Sequence, residues 1–242
     1  MILKVLGSSS FGNCYIIESD NEALILEAGI NFQEVQKALG FNLAKVKGLL
    51  CTHSHADHSK YVNEFSKRRI PVYTSEDTFK TCKWSFECNF IAAGILFQIG
   101  DFKILPFKVK HDVPCLGFFI NHPKIGNLVF ATDTYYLPNR FANVNHWLIE
   151  CNYRKDILDY KTPEGFNKIL RDRTLQSHMS YDTCISALKA NDLTMCKNIV
   201  LIHLSDRNSN AKEFREGVVR NFGKPTYIAQ KGLEINLTEI PF

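Results

Sequence analysis

The run His53-Ser54-His55-Ala56-Asp57-His58 places four side chains able to bind a metal within six positions. Three imidazoles and a carboxylate form a nitrogen and oxygen donor set that suits zinc and, with added carboxylate, manganese or iron. His53 and His55 lie two apart, so extended backbone points both to one side. Asp57 and His58 are adjacent, so extended backbone would point them apart, and they can serve a second ion. One loop can therefore help to hold two metals. The plain alternative is a His-rich polar surface loop, and four ligands in so short a run argue against it.

A dinuclear site needs more ligands. Three further candidates each end an expected strand: His111 after residues 103–110, Asp133 after 128–131 and His203 after 199–202. Each alone would read as an ordinary polar group at a strand end. Beside the six-residue run, the three together point to metal binding. His178 falls 25 positions before His203, near an expected helix start, where capping a helix at the surface is its plain role. His122 and His146 read as a turn residue and a strand-edge residue.

The elements that must position these residues alternate between strand and helix patterns. Residues 46–52 form an apolar strand running straight into His53. After Asp57 the stripe Tyr61, Val62 and Phe65 marks a helix, closed by Lys67-Arg68-Arg69 where cations suit a helix C-terminus. Strands are expected at 2–6, 14–18, 23–27, 70–74, 95–99, 102–110, 116–121, 127–131, 146–150 and 198–202. Helices are expected at 32–39, from Ser75 onward with Ser75 as cap, at 163–171, 182–190 and 211–221. A last hairpin is expected over 226–237 around Lys231-Gly232. The ligands thus sit where strands give way to loops, the usual place for sites in α/β proteins. Strands with helices occur twice over, which suggests two sheets sandwiched between helices within a single domain, 1–242.

Bulk properties narrow the classes. At 242 residues with 45% hydrophobic content the chain can bury a substantial core. A formal charge of +4, from 29 basic and 25 acidic residues, is only a mild bias towards a polyanionic partner. The eight cysteines include no C-x-x-C pair and several lie in apolar runs, which fits buried thiols in a reducing cytoplasm. The first residues are too soon interrupted for a signal peptide, and no apolar run approaches membrane-spanning length.

The order of these motifs resembles the metallo-β-lactamase superfamily, over nearly the whole chain. The resemblance implies a four-layer αββα sandwich with metals at one edge of the two sheets. It also implies a ligand set: His53, His55 and His111 for one metal, Asp57, His58 and His203 for the other, and Asp133 bridging. Finer segments resemble the phosphodiesterase and nuclease side of the superfamily, which includes RNase Z, a phosphonate-pathway cyclic phosphodiesterase and especially the WalJ/YycJ-like DNA exonucleases. These are Gly7-Ser8-Ser9-Ser10-Phe11-Gly12-Asn13-Cys14, residues 111–118, Ala131-Thr132-Asp133-Thr134, Glu150-Cys151-Asn152, Ser177-His178-Met179-Ser180 and His203-Leu204-Ser205. By that resemblance His178 is catalytic rather than a ligand. Glu27 stands where the family has Asp, Ser177 and Tyr135 where it has Gly.

The expected activity is metal-dependent phosphodiester hydrolysis, with two divalent ions, zinc or manganese. Such a pair can share a hydroxide and lower the pKa of its parent water to about 7. Asp57 would orient the nucleophile and His178 would assist the phosphate or the leaving oxygen. The substrate would be a nucleic acid or nucleotide phosphodiester, and no membrane is involved. A cyclic-nucleotide or small phosphodiester hydrolase, and a lactone, thioester or lactam hydrolase, are alternatives; a non-catalytic metal-binding protein would not need the whole ligand set. His111 and Asp133 are only 22 positions apart, leaving no room there for a long substrate-gripping arm. From Asp133 to His203 there are 70, too few for a cap domain. Core loops, or a second copy in a homodimer, must hold the substrate.

Overall fold

A computed structural model of the chain describes residues 1–160 and 168–238. The first half runs β1 (Ile2–Ser9), β2 (Gly12–Glu18), β3 (Ala23–Leu26), α1 (Phe32–Ala38), β4 (Val46–Leu50), α2 (Ala56–Ser59), α3 (Val62–Lys67), β5 (Val72–Thr74), α4 (Glu76–Thr81), β6 (Asn89–Phe90) and β7 (Phe97–Ile99). The second runs β8 (Phe102–Lys108), β9 (Leu116–His122), β10 (Gly126–Ala131), β11 (Val144–Glu150), α5 (Lys155–Tyr160), α6 (Lys168–Ser177), α7 (Tyr181–Lys189), β12 (Asn198–Ile202), α8 (Ala211–Phe222), β13 (Thr226–Ile228) and β14 (Glu234–Asn236).

The strands form two mixed seven-stranded sheets, ordered β14-β1-β2-β3-β4-β5-β6 and β13-β12-β11-β10-β9-β8-β7. Leu3, Tyr15, Leu26 and Leu50 of the first sheet meet Phe102, Phe118, Phe130 and Leu148 of the second in the central core. The outer face of the first sheet packs Ile16, Ile25 and Leu49 against Phe32 and Val35 of α1 and Phe65 of α3. The outer face of the second packs Val129, Trp147 and Leu201 against Leu188 of α7 and Phe214 of α8. β2, β11 and β12 are buried along their whole length, as strands covered on both faces should be. The result is the four-layer αββα sandwich.

Local chemistry sets the helix starts. Ser75 Oγ accepts from Thr78 N at 3.1 Å and Ser180 Oγ from Thr183 N at 3.1 Å, so each caps its helix. Three sequence expectations need correction. The segment 226–237 is not a hairpin: β13 pairs parallel with β12, whereas β14 pairs antiparallel with β1 in the other sheet. Lys231-Gly232 does turn the chain, but turn chemistry does not choose the strand's partner. His146 is no edge residue; it is fully buried in an interior strand, with Nδ1 3.1 Å from Asn198 Nδ2. Of the helix expected at 163–171, residues 163–167 lie outside the described residues, and the described helix α6 continues to Ser177.

Among the described residues no helix is long and apolar enough to cross a membrane. All eight cysteines are free thiols, six of them buried.

Candidate metal centre

The two sheets bring their loop-bearing strand ends to one edge of the sandwich. β4 leads into His53; β10, parallel to β11 and followed on its far side by β12, leads into Asp133 and β12 into His203. His111 follows β8. Asp133 and His203 carry positive φ, +49° and +54°, as does Glu27 at +69°. Left-handed backbone costs a non-glycine residue about 1–3 kcal/mol and gathers at functional sites. Here it ends each strand abruptly and turns the side chain into the edge.

His53, His55 and His111 form one group of donors within 4.8 Å of one another, and Asp57, His58 and His203 another. Asp133 lies between them. Its Oδ1 is 3.8 Å from both His111 Nε2 and His203 Nε2, and its Oδ2 is 3.0 Å from His58 Nε2. All seven residues singled out from the sequence therefore meet. One detail differs from expectation: Asp57 and His58 do not point apart. They sit in the short helix α2, where His58 Nε2 comes within 3.2 Å of Asp57 Oδ2.

The donors fit a metal. His53 Nε2 is buried without a hydrogen-bond partner, a costly state for an imidazole nitrogen that has no ligand. Its other nitrogen, Nδ1, is 2.8 Å from Thr52 Oγ1. His111 Nδ1 is 2.8 Å from the Ser177 carbonyl, so it carries the proton and leaves Nε2 as a lone-pair donor. His58 Nδ1 faces Glu27 Oε2 at 3.5 Å. Metal-binding histidines are held in this way, with the second nitrogen on a carbonyl or carboxylate. The group is electrostatically tense. Burial pushes the His53 imidazole well below its ordinary range. Burial works against charge on Asp133 too, but His203 and His58 outweigh it and hold the carboxyl well below the usual range. Burial raises Glu27, against the pull of His58.

Three neighbours carry weight that their sequence positions did not reveal. Glu150 is fully buried at the end of β11, where Oε2 accepts from Thr134 N at 2.7 Å and Oε1 lies 2.7 Å from His178 Nδ1. Burial, then the nearby Asp133, push its pKa up. His178 caps no helix: it lies between α6 and α7, and Ser180 supplies the cap. Asp112 places Oδ1 3.1 Å from His111 Nε2 and 3.4 Å from His55 Nε2, while Oδ2 accepts from Arg173 Nε at 3.2 Å. Asn13 Nδ2 reaches Asp57 Oδ2 at 3.2 Å. Glu150, Asp112 and Asn13 all belong to segments that resembled the family, but nothing in the local pattern gave them a role, because their partners lie far along the chain.

Over the donors opens a cleft of about 600 Å³, lined among others by Asp57, Asp133, His178, Arg173 and Arg207. It can hold a small anionic ligand against the metal edge.

The metallo-beta-lactamase superfamily model matches residues 8–79. The exodeoxyribonuclease YycJ of Bacillus anthracis is 26% identical over 252 aligned residues, covering 98% of this chain and 94% of that protein. The exodeoxyribonuclease WalJ of Streptococcus pneumoniae is 27% identical over 228 residues, covering 87% and 83%. The metallo-β-lactamase fold protein YhfI of Bacillus subtilis superposes with a TM-score of 0.72 at 17% identity, covering 97% of this chain and 99% of that one. The match to the superfamily model thus covers the hairpin and the metal-loop segment, and the fold of the whole chain is that of YhfI.

Proposed function

We propose that this chain is a phosphodiesterase dependent on two divalent ions, zinc or manganese, and that its substrate is nucleic acid, processed from an end as by an exonuclease. His53, His55 and His111 would hold one ion, Asp57, His58 and His203 the other, with Asp133 shared. The ions would supply Lewis acidity at the phosphoryl group and acidify a water.

The chain's own groups do the rest. Asn13 and the two imidazoles of His58 and His203 fix Asp57 Oδ2, each at 3.2 Å, so the carboxylate at the cleft can orient an attacking water. Glu150 engages His178 Nδ1 and sets the ring. Nε2 is then the nitrogen left for the cleft, where it can donate a hydrogen bond to a phosphoryl oxygen or a proton to the leaving oxygen. Assistance of this kind is worth about 10²–10⁴-fold.

The observation that carries the reading is this His178, gripped by a buried carboxylate beside the seven donors, in a cleft that also presents Arg173 and Arg207. A lactone or thioester site would favour apolar walls and has no use for two guanidinium groups. The similarity to two exodeoxyribonucleases over most of the chain supports the nuclease reading. The eight free thiols fit a reducing compartment, the cytoplasm.

The test is a substrate panel run with zinc and with manganese: bis-p-nitrophenyl phosphate, single- and double-stranded DNA, RNA, cyclic nucleotides, a lactam and a thioester. Phosphodiester turnover with an inert lactam and thioester is expected. Efficient thioester or lactam hydrolysis with every phosphodiester inert would overturn the reading.

A further inference from the structure

The tip of the β1–β2 hairpin places a large apolar ring at the metal cleft. Phe11 is 85% exposed. Among the described residues lining the cleft it is the one exposed large apolar side chain; Leu204, the other large apolar residue there, is buried. A lone surface phenylalanine needs no explanation, but this one shares a wall with Asp57 and faces a cleft that also holds His178, Arg173 and Arg207.

The backbone that carries Phe11 is fixed to the metal edge. Two residues on, Asn13 Nδ2 donates to the Asp57 carbonyl at 3.3 Å and to Asp57 Oδ2 at 3.2 Å. Gly29 N donates to the Asn13 carbonyl at 2.9 Å. On the preceding strand, Ser8 Oγ accepts from His203 N at 2.8 Å. Gly12 approaches so closely that a Cβ there would lie 2.5 Å from the Gly29 carbonyl. The ring therefore projects from a rigid base with only two side-chain torsions, a pre-organised platform rather than a loose surface residue.

Resting on the phosphodiesterase reading, we propose that Phe11 is the stacking platform for an unpaired nucleobase next to the scissile phosphate, and that Arg173 and Arg207 flank the adjoining phosphates. The cleft's size suits one small ligand unit rather than a duplex. A duplex keeps its terminal base against the neighbouring pair, so the substrate would be a single strand or a frayed end. Stacking tolerates any base, because each has a π-face, so recognition would be blind to sequence.

The experiment uses the full chain in two conditions. In chelator, where turnover stops, a short single-stranded DNA with 2-aminopurine at one or the other end is titrated, reading the quenching that stacking causes. Wild type should quench the probe saturably at one end. Phe11→Ala should lose the quenching and bind about 5- to 150-fold more weakly, and Phe11→Trp should restore both. Against an oligonucleotide with an abasic terminal residue the gap between wild type and Phe11→Ala should vanish, whereas Arg173→Ala should weaken both probes. Undiminished quenching in Phe11→Ala, no quenching by wild type, or equal loss on the abasic probe would overturn the proposal. With metal restored, turnover of the panel is measured separately. Inert phosphodiesters beside intact stacking would remove the hydrolase reading alone; active phosphodiesters with Phe11→Ala indistinguishable from wild type would remove the platform alone.

Discussion

His178 Nδ1 lies 2.7 Å from Oε1 of Glu150, whose side chain is wholly buried. The carboxylate is already anchored through its other oxygen to Thr134 N, so it holds the ring instead of being moved by it. His178→Ala is expected to keep both metals and the fold while lowering kcat by about 10²–10⁴-fold. Glu150→Gln should cost less, about 10–100-fold, since the amide keeps one contact but no longer fixes the tautomer. The double variant should be little worse than His178→Ala, because the two act as a unit. Losses should shrink on nitrophenyl esters, whose leaving group needs no proton. A multiplicative double variant, or a metal lost with His178, would refute the arrangement.

The metal count follows from the position of Asp133 between the two donor groups. Elemental analysis of reconstituted protein should find two ions per chain, and Asp133→Ala should reduce that number. Chelation should lower Tm, because the ions bind the folded chain alone and their removal leaves His53 Nε2 buried without a partner. One ion at most, with occupancy indifferent to Asp133, would sink the dinuclear assignment.

Gly29 gives a test of the loop's packing that changes no ligand. A Cβ at this position would sit 1.7 Å from the Asp57 carbonyl oxygen and 2.6 Å from Asn13 N, both backbone atoms that cannot rotate away. Gly29→Ala must therefore displace the metal loop or the hairpin. Weaker metal binding and a fall in kcat are expected, together with a lower Tm. Metal affinity and activity equal to wild type would show that the loop does not depend on this close approach.

The candidate metal site was legible because its grammar is local. Four possible donors lie in one loop, and His111, Asp133 and His203 each follow a strand that the apolar pattern alone marks. Glu150 was not legible as a working residue: it ends the buried strand Val144–Glu150, and its partner His178 is brought to it by α6 and α7. Asp112 was hidden for the same reason, since its value comes from His55 and Arg173. The layers could be read from the alternation of strands and helices, but the final strands could not. β13 and β14 flank a correctly read turn and still join opposite sheets, since pairing is decided by which edge is open, a property of the whole fold. The relation of Asp57 to His58 failed because the extended backbone assumed there is a helical turn.

The last prediction concerns stability at acid pH, away from the metals. Glu18, at the end of β2, is 8% exposed and pairs with Lys4 at 2.5 Å and Lys45 at 2.7 Å. Burial favours its neutral form, but the two ammonium groups outweigh burial and hold the carboxyl below its ordinary value. A carboxyl whose folded pKa is depressed stabilises the fold fully above its unfolded value, about 4.3, and loses that contribution as pH falls through the folded value. Glu18→Gln should therefore cost stability at pH 7, about 1.5–3 kcal/mol for hydrogen bonds to charged groups. The gap between variant and wild type should begin to shrink as pH falls below the unfolded value, about 4.3, and close once pH has passed the depressed folded value. Urea unfolding of the chelated protein at a series of pH values measures this, with the chelator keeping metal release out of the comparison. A gap that stays constant down to pH 2, or widens, would mean that Glu18 acts through packing and not through its charge.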